Sequence, residues 1–153
     1  MTMGVYQGYY SSPLGMIEIK STNEGVTSVQ FVEDVSENFI NTHIEECIQQ
    51  LEEYFNRKRT SFSLNLCPSL TAFQQNVLHQ LSVISYGKTQ SYSQLAASIG
   101  QPASTRAVAN AIGKNPIAII IPCHRVIGKN KDLRGYAWGK WRKEKLIALE
   151  QIS

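Results

Sequence analysis

Residues 115–127 of this chain read NPIAIIIPCHRVI. An apolar run ends at Pro122, and Cys123, His124 and Arg125 follow in succession. Such a run is typical of a short buried segment, and a proline fixes the backbone where that segment ends. The sequence therefore places three reactive or charged side chains where a core segment stops.

Cys123 is a candidate nucleophile. A free thiol is only about 3% thiolate at neutral pH, and a neighbouring cation or base raises that fraction about tenfold per unit of pKa depression. Arg125 and His124 are candidates for that help. Because adjacent side chains diverge, His124 would reach the sulfur through a water, and a third group would orient the imidazole. Taken alone, the pair fits an inert buried cysteine beside a chance histidine equally well.

Charge is divided unevenly along the 153 residues, whose net charge is +3. Residues 1–68 carry 4 Lys/Arg against 9 Asp/Glu, and residues 69–153 carry 11 against 3. A basic second half suits a polyanion such as DNA, and it also fits a surface that is merely solvated.

Targeting and redox signals favour a cytoplasmic protein. The N-terminus has no basic stretch followed by a long apolar run, and the longest apolar run is too short to span a bilayer. The three cysteines have neither paired nor metal-ligand spacing. We expect no disulfide, no metal and no membrane contact.

The first half has the pattern of a small α/β unit. Residues 17–19 and 26–32 predict a β-hairpin, and apolar residues at helical spacing over 44–55 predict a helix that buries Cys47. Residues 57–68 predict a short strand and then a linker. We place a domain boundary at Pro68.

The second half is predominantly helical in pattern. One helix is predicted over 70–84, and Ser91 to Gln94 has capping-box spacing at the start of a short helix ending at Gly100. A tight turn at Gln101-Pro102 and a helix over 103–112 would complete a helix-turn-helix. Two short helices joined this way are also common in ordinary packing.

The segment 115–127 resembles the active-site signature of the O6-alkylguanine-DNA alkyltransferases, also called methylated-DNA-protein-cysteine methyltransferases, whose core is Pro-Cys-His-Arg-Val. The likeness extends over nearly the whole chain. It includes Ser12 to Gly15, Leu51 to Phe55, Phe73-Gln74, Tyr86-Gly87, Ser91-Tyr92, Arg106 to Val108, Gly135-Tyr136 and Lys143 to Glu150.

The resemblance implies a fold and a reaction. The fold would be α/β, with a ribonuclease-H-like α/β domain at 1–68 and a mostly helical, winged helix-turn-helix-like domain at 69–153. The reaction would be direct reversal of damage in double-stranded DNA. An alkyl group would pass irreversibly from O6-alkylguanine, with O4-alkylthymine as a further candidate, to a protein cysteine. A thioether has no easy route back, so one protein would repair one base, as a monomer without a cofactor.

The family's catalytic roles transfer to matching positions. Cys123 would be the alkyl acceptor, His124 its base through water, and Glu150 the group that holds the productive tautomer. Asn115 would be a hinge between the helix-turn-helix and the active-site segment. Lys143 would support proton transfer.

DNA contacts are implied for a second set of residues. Arg106, on the second helix, would fill the gap left by a flipped nucleotide. Tyr92 would crowd the phosphate and contact the extruded base, which makes it catalytic as well. Ser91, Ser93 and Arg125 would add contacts.

The substrate pocket is implied to be narrow. Tyr136 would form its wall, with Val126 and Ala137 beside it. Trp138 and Ala118 stand where some relatives carry Gly and Pro, and a bulky indole would leave less room for large alkyl groups.

Two other functions compete with repair. One is a non-catalytic DNA-binding regulator or damage sensor that uses the helix-turn-helix, although such sensors replace the acceptor cysteine. The other is a cysteine hydrolase built on Cys123, His124 and Glu150, for which no oxyanion loop is evident.

Overall fold

The computed structural model describes residues 4–99 and 105–151. They form two compact units. The first comprises Met1–Ser69 and Pro116–Ile120, and the second comprises Leu70–Asn115 and Ile121–Ser153. In the described ranges no helix combines the length and the apolar character that crossing a membrane requires.

The first unit is built on an antiparallel sheet of three strands in the order β1-β2-β3. The strands are β1 (Tyr6–Ser12), β2 (Gly15–Thr22) and β3 (Gly25–Phe31). Alternation buries Ile17 and Ile19 on one face of β2, as period-two patterning requires. The predicted hairpin of β2 and β3 is confirmed.

Helix α1 (Thr42–Phe55) begins where the Asn41 side chain accepts a hydrogen bond from the Ile44 amide at 3.1 Å. Its apolar stripe is buried, and the expectation that Cys47 belongs to the core is confirmed. Burial raises the pKa of the Cys47 thiol to about 12, and the residue has no exposed surface through which a substrate could reach it.

The strand expected within 57–68 does not form. This segment meets β3 only through a bridge between Leu66 and Val26, flanked by the Val26 to Asn65 and Cys67 to Val26 backbone bonds. Pro68 has no amide hydrogen to continue the ladder. The prediction of a strand was therefore wrong.

Residues Pro116–Ile120 add a further segment to the first unit. The Val29 amide donates to the Pro116 carbonyl at 2.9 Å, and the Ala118 amide donates to the Val29 carbonyl at 2.8 Å. The apolar run of the motif is thus divided, with its first part paired to β3 and its last part in the second unit.

The second unit is mainly helical. It contains α2 (Ala72–Ser82), α3 (Tyr92–Ser98), α4 (Thr105–Gly113) and α5 (Lys140–Gln151), and a two-stranded parallel ladder pairs β4 (Gln90–Ser91) with β5 (Val126–Ile127). The predicted α/β fold class is confirmed.

The predicted helix boundaries hold in part. Helix α2 is shorter than 70–84, and the predicted capping box at Ser91 is confirmed, with Gln94 as its partner. The turn predicted at Gln101-Pro102 and the predicted start of the second helix lie outside the described residues.

Candidate active site

Cys123 lies at the first position of a 3-10 turn, Cys123–Arg125, directly after Pro122. Its amide donates to the Ile121 carbonyl at 2.8 Å. The Asn115 side chain donates to that same carbonyl at 3.0 Å, from just beyond the end of α4. Asn115 therefore ties α4 to the turn that carries the cysteine.

The thiol of Cys123 is not activated in the resting protein. It is only 3% exposed, and burial raises its pKa to about 11, although Asn115, Lys143 and Tyr136 act to lower it. The sequence suggested that neighbouring cations would favour the thiolate. Desolvation outweighs them, because a charged sulfur in this setting loses its hydration.

His124 and Glu150 form a buried pair, with His124 Nε2 lying 2.7 Å from Glu150 Oε2. Burial lowers the pKa of His124 despite the carboxylate. Burial alone would raise the pKa of Glu150, but hydrogen bonds from His124 and Arg125 bring it down to about 2. The pair is therefore a neutral imidazole that donates from Nε2 to a carboxylate.

Two buried side-chain atoms in the described part of the chain have no hydrogen-bond partner: His124 Nδ1 and Tyr136 Oη. With Nε2 committed to Glu150, Nδ1 is the nitrogen that can accept a proton. Tyr136 Oη lies close enough to Cys123 to influence the pKa of the thiol. Tyr136 Oη therefore belongs to the surroundings of the sulfur, and Nδ1 is the proton acceptor that His124 has available.

Arg125 faces inwards, and its predicted role in DNA contact needs correction. It is 7% exposed, its Nε and Nη2 donate to Glu150 at 2.8 and 3.1 Å, and its Nη1 donates to the Ile84 carbonyl at 2.7 Å. A guanidinium held in this fork geometry cannot also reach a phosphate at the surface. Arg125 instead fixes the carboxylate that orients His124.

Lys143 is buried beneath the aromatic ring of Tyr92. Its Nζ donates to Tyr92 Oη at 3.5 Å and to the Gly135 carbonyl at 3.3 Å. Burial lowers the pKa of Lys143 to about 8, while the field of a Cys123 thiolate would raise it. Near neutral pH the ammonium can therefore exchange a proton with little free-energy cost.

A cleft of about 640 Å³ opens above these residues. Cys123 lines the cleft although the residue is only 3% exposed, which puts the thiol at the bottom. Tyr136 and Ala137, which were predicted for the substrate pocket, line this cleft, and so do Tyr92 and three residues predicted to contact DNA, namely Ser91, Ser93 and Arg106. The Ser91 hydroxyl already caps α3 through the Gln94 amide.

Three residues predicted for the substrate pocket do not line this cleft. Val126 is buried and pairs with Gln90 in the β4-β5 ladder. Trp138 stands edge-on to Tyr136, with ring centroids 5.2 Å apart. Ala118 belongs to the first unit.

Sequence reasoning missed Lys129 and Arg134, which line the cleft from the loop after β5. The available signal was the basic run from Gly128 to Arg134, directly after the motif. Among residues 4–99 and 105–151, no three His, Cys, Asp or Glu side chains are grouped so as to hold a metal ion.

Family models match both halves of the chain. The model described as "6-O-methylguanine DNA methyltransferase, ribonuclease-like domain" matches residues 5–68. The model described as "6-O-methylguanine DNA methyltransferase, DNA binding domain" matches residues 72–152.

Individual relatives match over nearly full length. Methylated-DNA–protein-cysteine methyltransferases of Methanosarcina acetivorans and Bacillus subtilis are each 40% identical to the chain. The matches cover 95% of the chain in both cases, and 98% and 96% of those proteins. The crystal structure of Mycobacterium tuberculosis O6-methylguanine methyltransferase matches with a TM-score of 0.87 and 37% identity, over 97% of this chain and 93% of that one. The structure of M. tuberculosis OGT in complex with DNA matches with a TM-score of 0.84 and 39% identity, over 94% and 91%.

Proposed function

The chain belongs to the 6-O-methylguanine DNA methyltransferase family, and from that premise we propose the reaction that its own residues perform. A methyl or other small alkyl group moves from O6 of an alkylguanine in double-stranded DNA to the sulfur of Cys123, with O4-alkylthymine as a further candidate substrate. The observation that carries this proposal is the position of Cys123 at the bottom of a cleft, next to the His124–Glu150 pair.

A base is needed at the moment of attack, because burial holds the pKa of Cys123 at about 11. His124 Nδ1 takes the thiol proton through a water while Glu150 holds Nε2–H, and Arg125 is the positioning residue for that carboxylate. The S–C bond forms as the C–O6 bond breaks. The guanine takes up a proton as it leaves, so the products are a thioether and an undamaged guanine.

The leaving guanine is assisted by a second pair of residues. Charge develops on its ring as the bond to O6 breaks, and a nearby donor lowers the barrier. Tyr92 is that donor, and Lys143, 3.5 Å from its hydroxyl, supports the proton transfer. Lys143 also stabilises the developing thiolate, because its charge lowers the pKa of Cys123.

The target nucleotide must leave the duplex, since a stacked base cannot bring its O6 atom to a buried thiol. Residues 69–153 provide the DNA-binding surface, and Arg106 on α4 fills the gap in the stack. Arg106 is exposed and lines the same cleft as Cys123, which supports this role. Ser91 and Ser93 contribute phosphate contacts.

The transfer happens once per molecule. A thioether resists the hydrolysis and thiol exchange that would release a thioester or a disulfide. We propose that the protein acts as a monomer, in the cytoplasm, and is consumed by the reaction.

Intact-mass spectrometry after mixing with a duplex that contains one O6-methylguanine tests the proposal. We expect one methyl increment per protein molecule, located by peptide mapping on Cys123, and no second increment with excess DNA. Protein that keeps its original mass, or that carries the methyl group on another residue, would overturn the assignment. An undamaged duplex of the same sequence is the control.

A further inference from the structure

Arg134 has a backbone conformation that few arginines adopt. Its φ is 58°, in the left-handed region, where the Cβ of an L residue crowds the following carbonyl. Its side chain is 63% exposed, and its ion pair with Asp132 is long at 3.8 Å, with that carboxylate 54% exposed. An ion pair this exposed does little to hold the guanidinium or to neutralise it.

Gly128 leaves the space that the Arg134 side chain occupies. A Cβ placed on Gly128 would lie 2.6 Å from Arg134 Nε and 3.0 Å from Arg134 Cγ. The φ of Gly128 is −80°, which other residues adopt easily, so the glycine is needed for the space and not for its backbone freedom. The loop after β5 thus places the Arg134 side chain next to Gly128, where it lines the cleft.

The rim of the cleft is cationic. Arg134 lines it together with Lys129 and Arg106, and none of the described lining residues is acidic. Arg134 also lies near Tyr92. Burial is the main influence on the Tyr92 phenol and raises its pKa, and the charge of Arg134 opposes that rise. Three cations around the entrance to one cleft suit a ligand with several negative charges.

We propose that Arg134 binds a phosphodiester group of the damaged strand, next to the flipped nucleotide, and so holds the backbone in place at the entrance to the cleft. This inference rests on the proposed function, since it takes the nucleotide in the cleft to be part of DNA. A guanidinium suits a phosphate because its fork of N–H donors can bond two oxygens at once. Such a contact positions the strand without reading its sequence.

The chain offers a matched control for Arg134. Arg57 in the first unit is also an exposed arginine with positive φ, 59°, and it does not line the cleft. Arg134→Gly and Arg57→Gly each remove one charge and relieve the same type of backbone strain. Affinity for a duplex with one O6-methylguanine would be measured over a range of salt concentrations, with both variants also carrying Cys123→Ser so that no transfer occurs.

Loss of one phosphate contact lowers the slope of log K against log salt by about 0.9. We expect that reduction for Arg134→Gly and an unchanged slope for Arg57→Gly. Equal slopes for the two variants would overturn the proposal.

Neutral methylphosphonates, placed one at a time on the damaged strand, would locate the contact. At one position near the lesion the protein with Arg134 should lose affinity while Arg134→Gly should lose none. Gly128→Ala keeps the net charge but displaces the guanidinium, so it should lose the sensitivity at that same position. If the sensitivity persists in Gly128→Ala, or if no position distinguishes the variants, Arg134 does not bind a phosphate.

A failure of the proposed function can be distinguished from a failure of the Arg134 contact. If the proposed function is wrong, the wild-type protein acquires no methyl group in the mass measurement, whatever salt slopes the variants show. A methylated wild type with equal slopes for both glycine variants would reject the Arg134 contact alone.

Discussion

Around Cys123, ionisable side chains of the second unit form two groups with opposite surroundings. The buried group, behind Cys123, consists of His124, Arg125, Glu150 and Lys143, each with partners at 2.7 to 3.5 Å. The rim group, at the entrance to the cleft, consists of Arg106, Lys129 and Arg134.

The difference follows from hydration. A buried charge loses its water and is tolerated only when fixed partners replace it, so the buried group is rigid and its loss disrupts the fold. An exposed charge keeps its water and is free to meet a phosphate. We therefore expect substitutions in the buried group to affect alkyl transfer and stability. Substitutions in the rim group should affect DNA binding.

The largest expected effect is that of Cys123→Ser, which should abolish alkyl transfer. Attack on a saturated carbon needs a polarisable thiolate, which a serine hydroxyl cannot replace. DNA affinity should remain close to that of the wild type, because phosphate contacts supply most of it. Mass spectrometry and a binding titration check both parts. A methyl increment on the serine variant would contradict the assignment.

Arg125→Met should be the most destabilising change to a charged residue of the buried group. It leaves the Glu150 carboxylate buried without two of its hydrogen bonds, which costs about 3 to 5 kcal/mol. Arg134→Met at the rim is the matched control and should change stability by less than about 0.5 kcal/mol. Urea unfolding measures both. Similar losses for the two variants would remove the distinction between the groups.

Acid should destabilise the protein through the buried group. The pKa of Glu150 falls from an ordinary 4.5 to about 2, so below pH 4.5 the unfolded chain binds a proton that the folded chain does not. Its contribution, about 3 kcal/mol, is present above pH 4.5 and is lost as the pH falls to about 2. Glu150→Gln should show a flatter stability profile across that window. Parallel profiles for the two proteins would contradict this.

Arg106→Ala should slow repair of duplex DNA by about ten- to a hundredfold, because only the duplex needs a flipped nucleotide replaced in its stack. Repair of free O6-methylguanine should be affected much less. Single-turnover rates on the two substrates give the comparison. Equal losses on both would show that Arg106 has another role.

The smallest expected effect is that of Trp138→Gly on inactivation by O6-benzylguanine. Because Trp138 packs edge-on against Tyr136 and does not itself line the cleft, opening this position should raise sensitivity by less than about tenfold. Inactivation rates at several concentrations measure it. A larger gain would mean that the indole borders the bound substrate, as the family resemblance implies.

What residue patterns alone could predict was local, and the distant partnership of His124 with Glu150 was expected only from the family resemblance. The capping box at Ser91 and the buried stripe of α1 depend on residues three or four positions apart, and both were confirmed. The partner of Arg125 was not predictable in this way. Its carboxylate lies 25 residues further along the chain, and only the docking of α5 against the Cys123 turn brings the two together.

Two of the three rim residues were missed for a related reason. Arg134 and Lys129 belong to no recognisable motif, and their function depends on the direction in which a loop presents them. The family resemblance also implies that Trp138 and Ala118 border the pocket. Neither lines the cleft that holds Cys123, and their place beside the substrate stays a prediction.

The pairing of Pro116–Ile120 with β3 limits how this chain can be divided. A fragment that ended at Pro68 would lack these residues, and Val29 would lose both of its backbone partners. The edge of β3 around Val29 and Phe31 would then be exposed and would be a template for another strand. Such a fragment would tend to self-associate, so cleavage of the chain at one position does not yield two independently stable units.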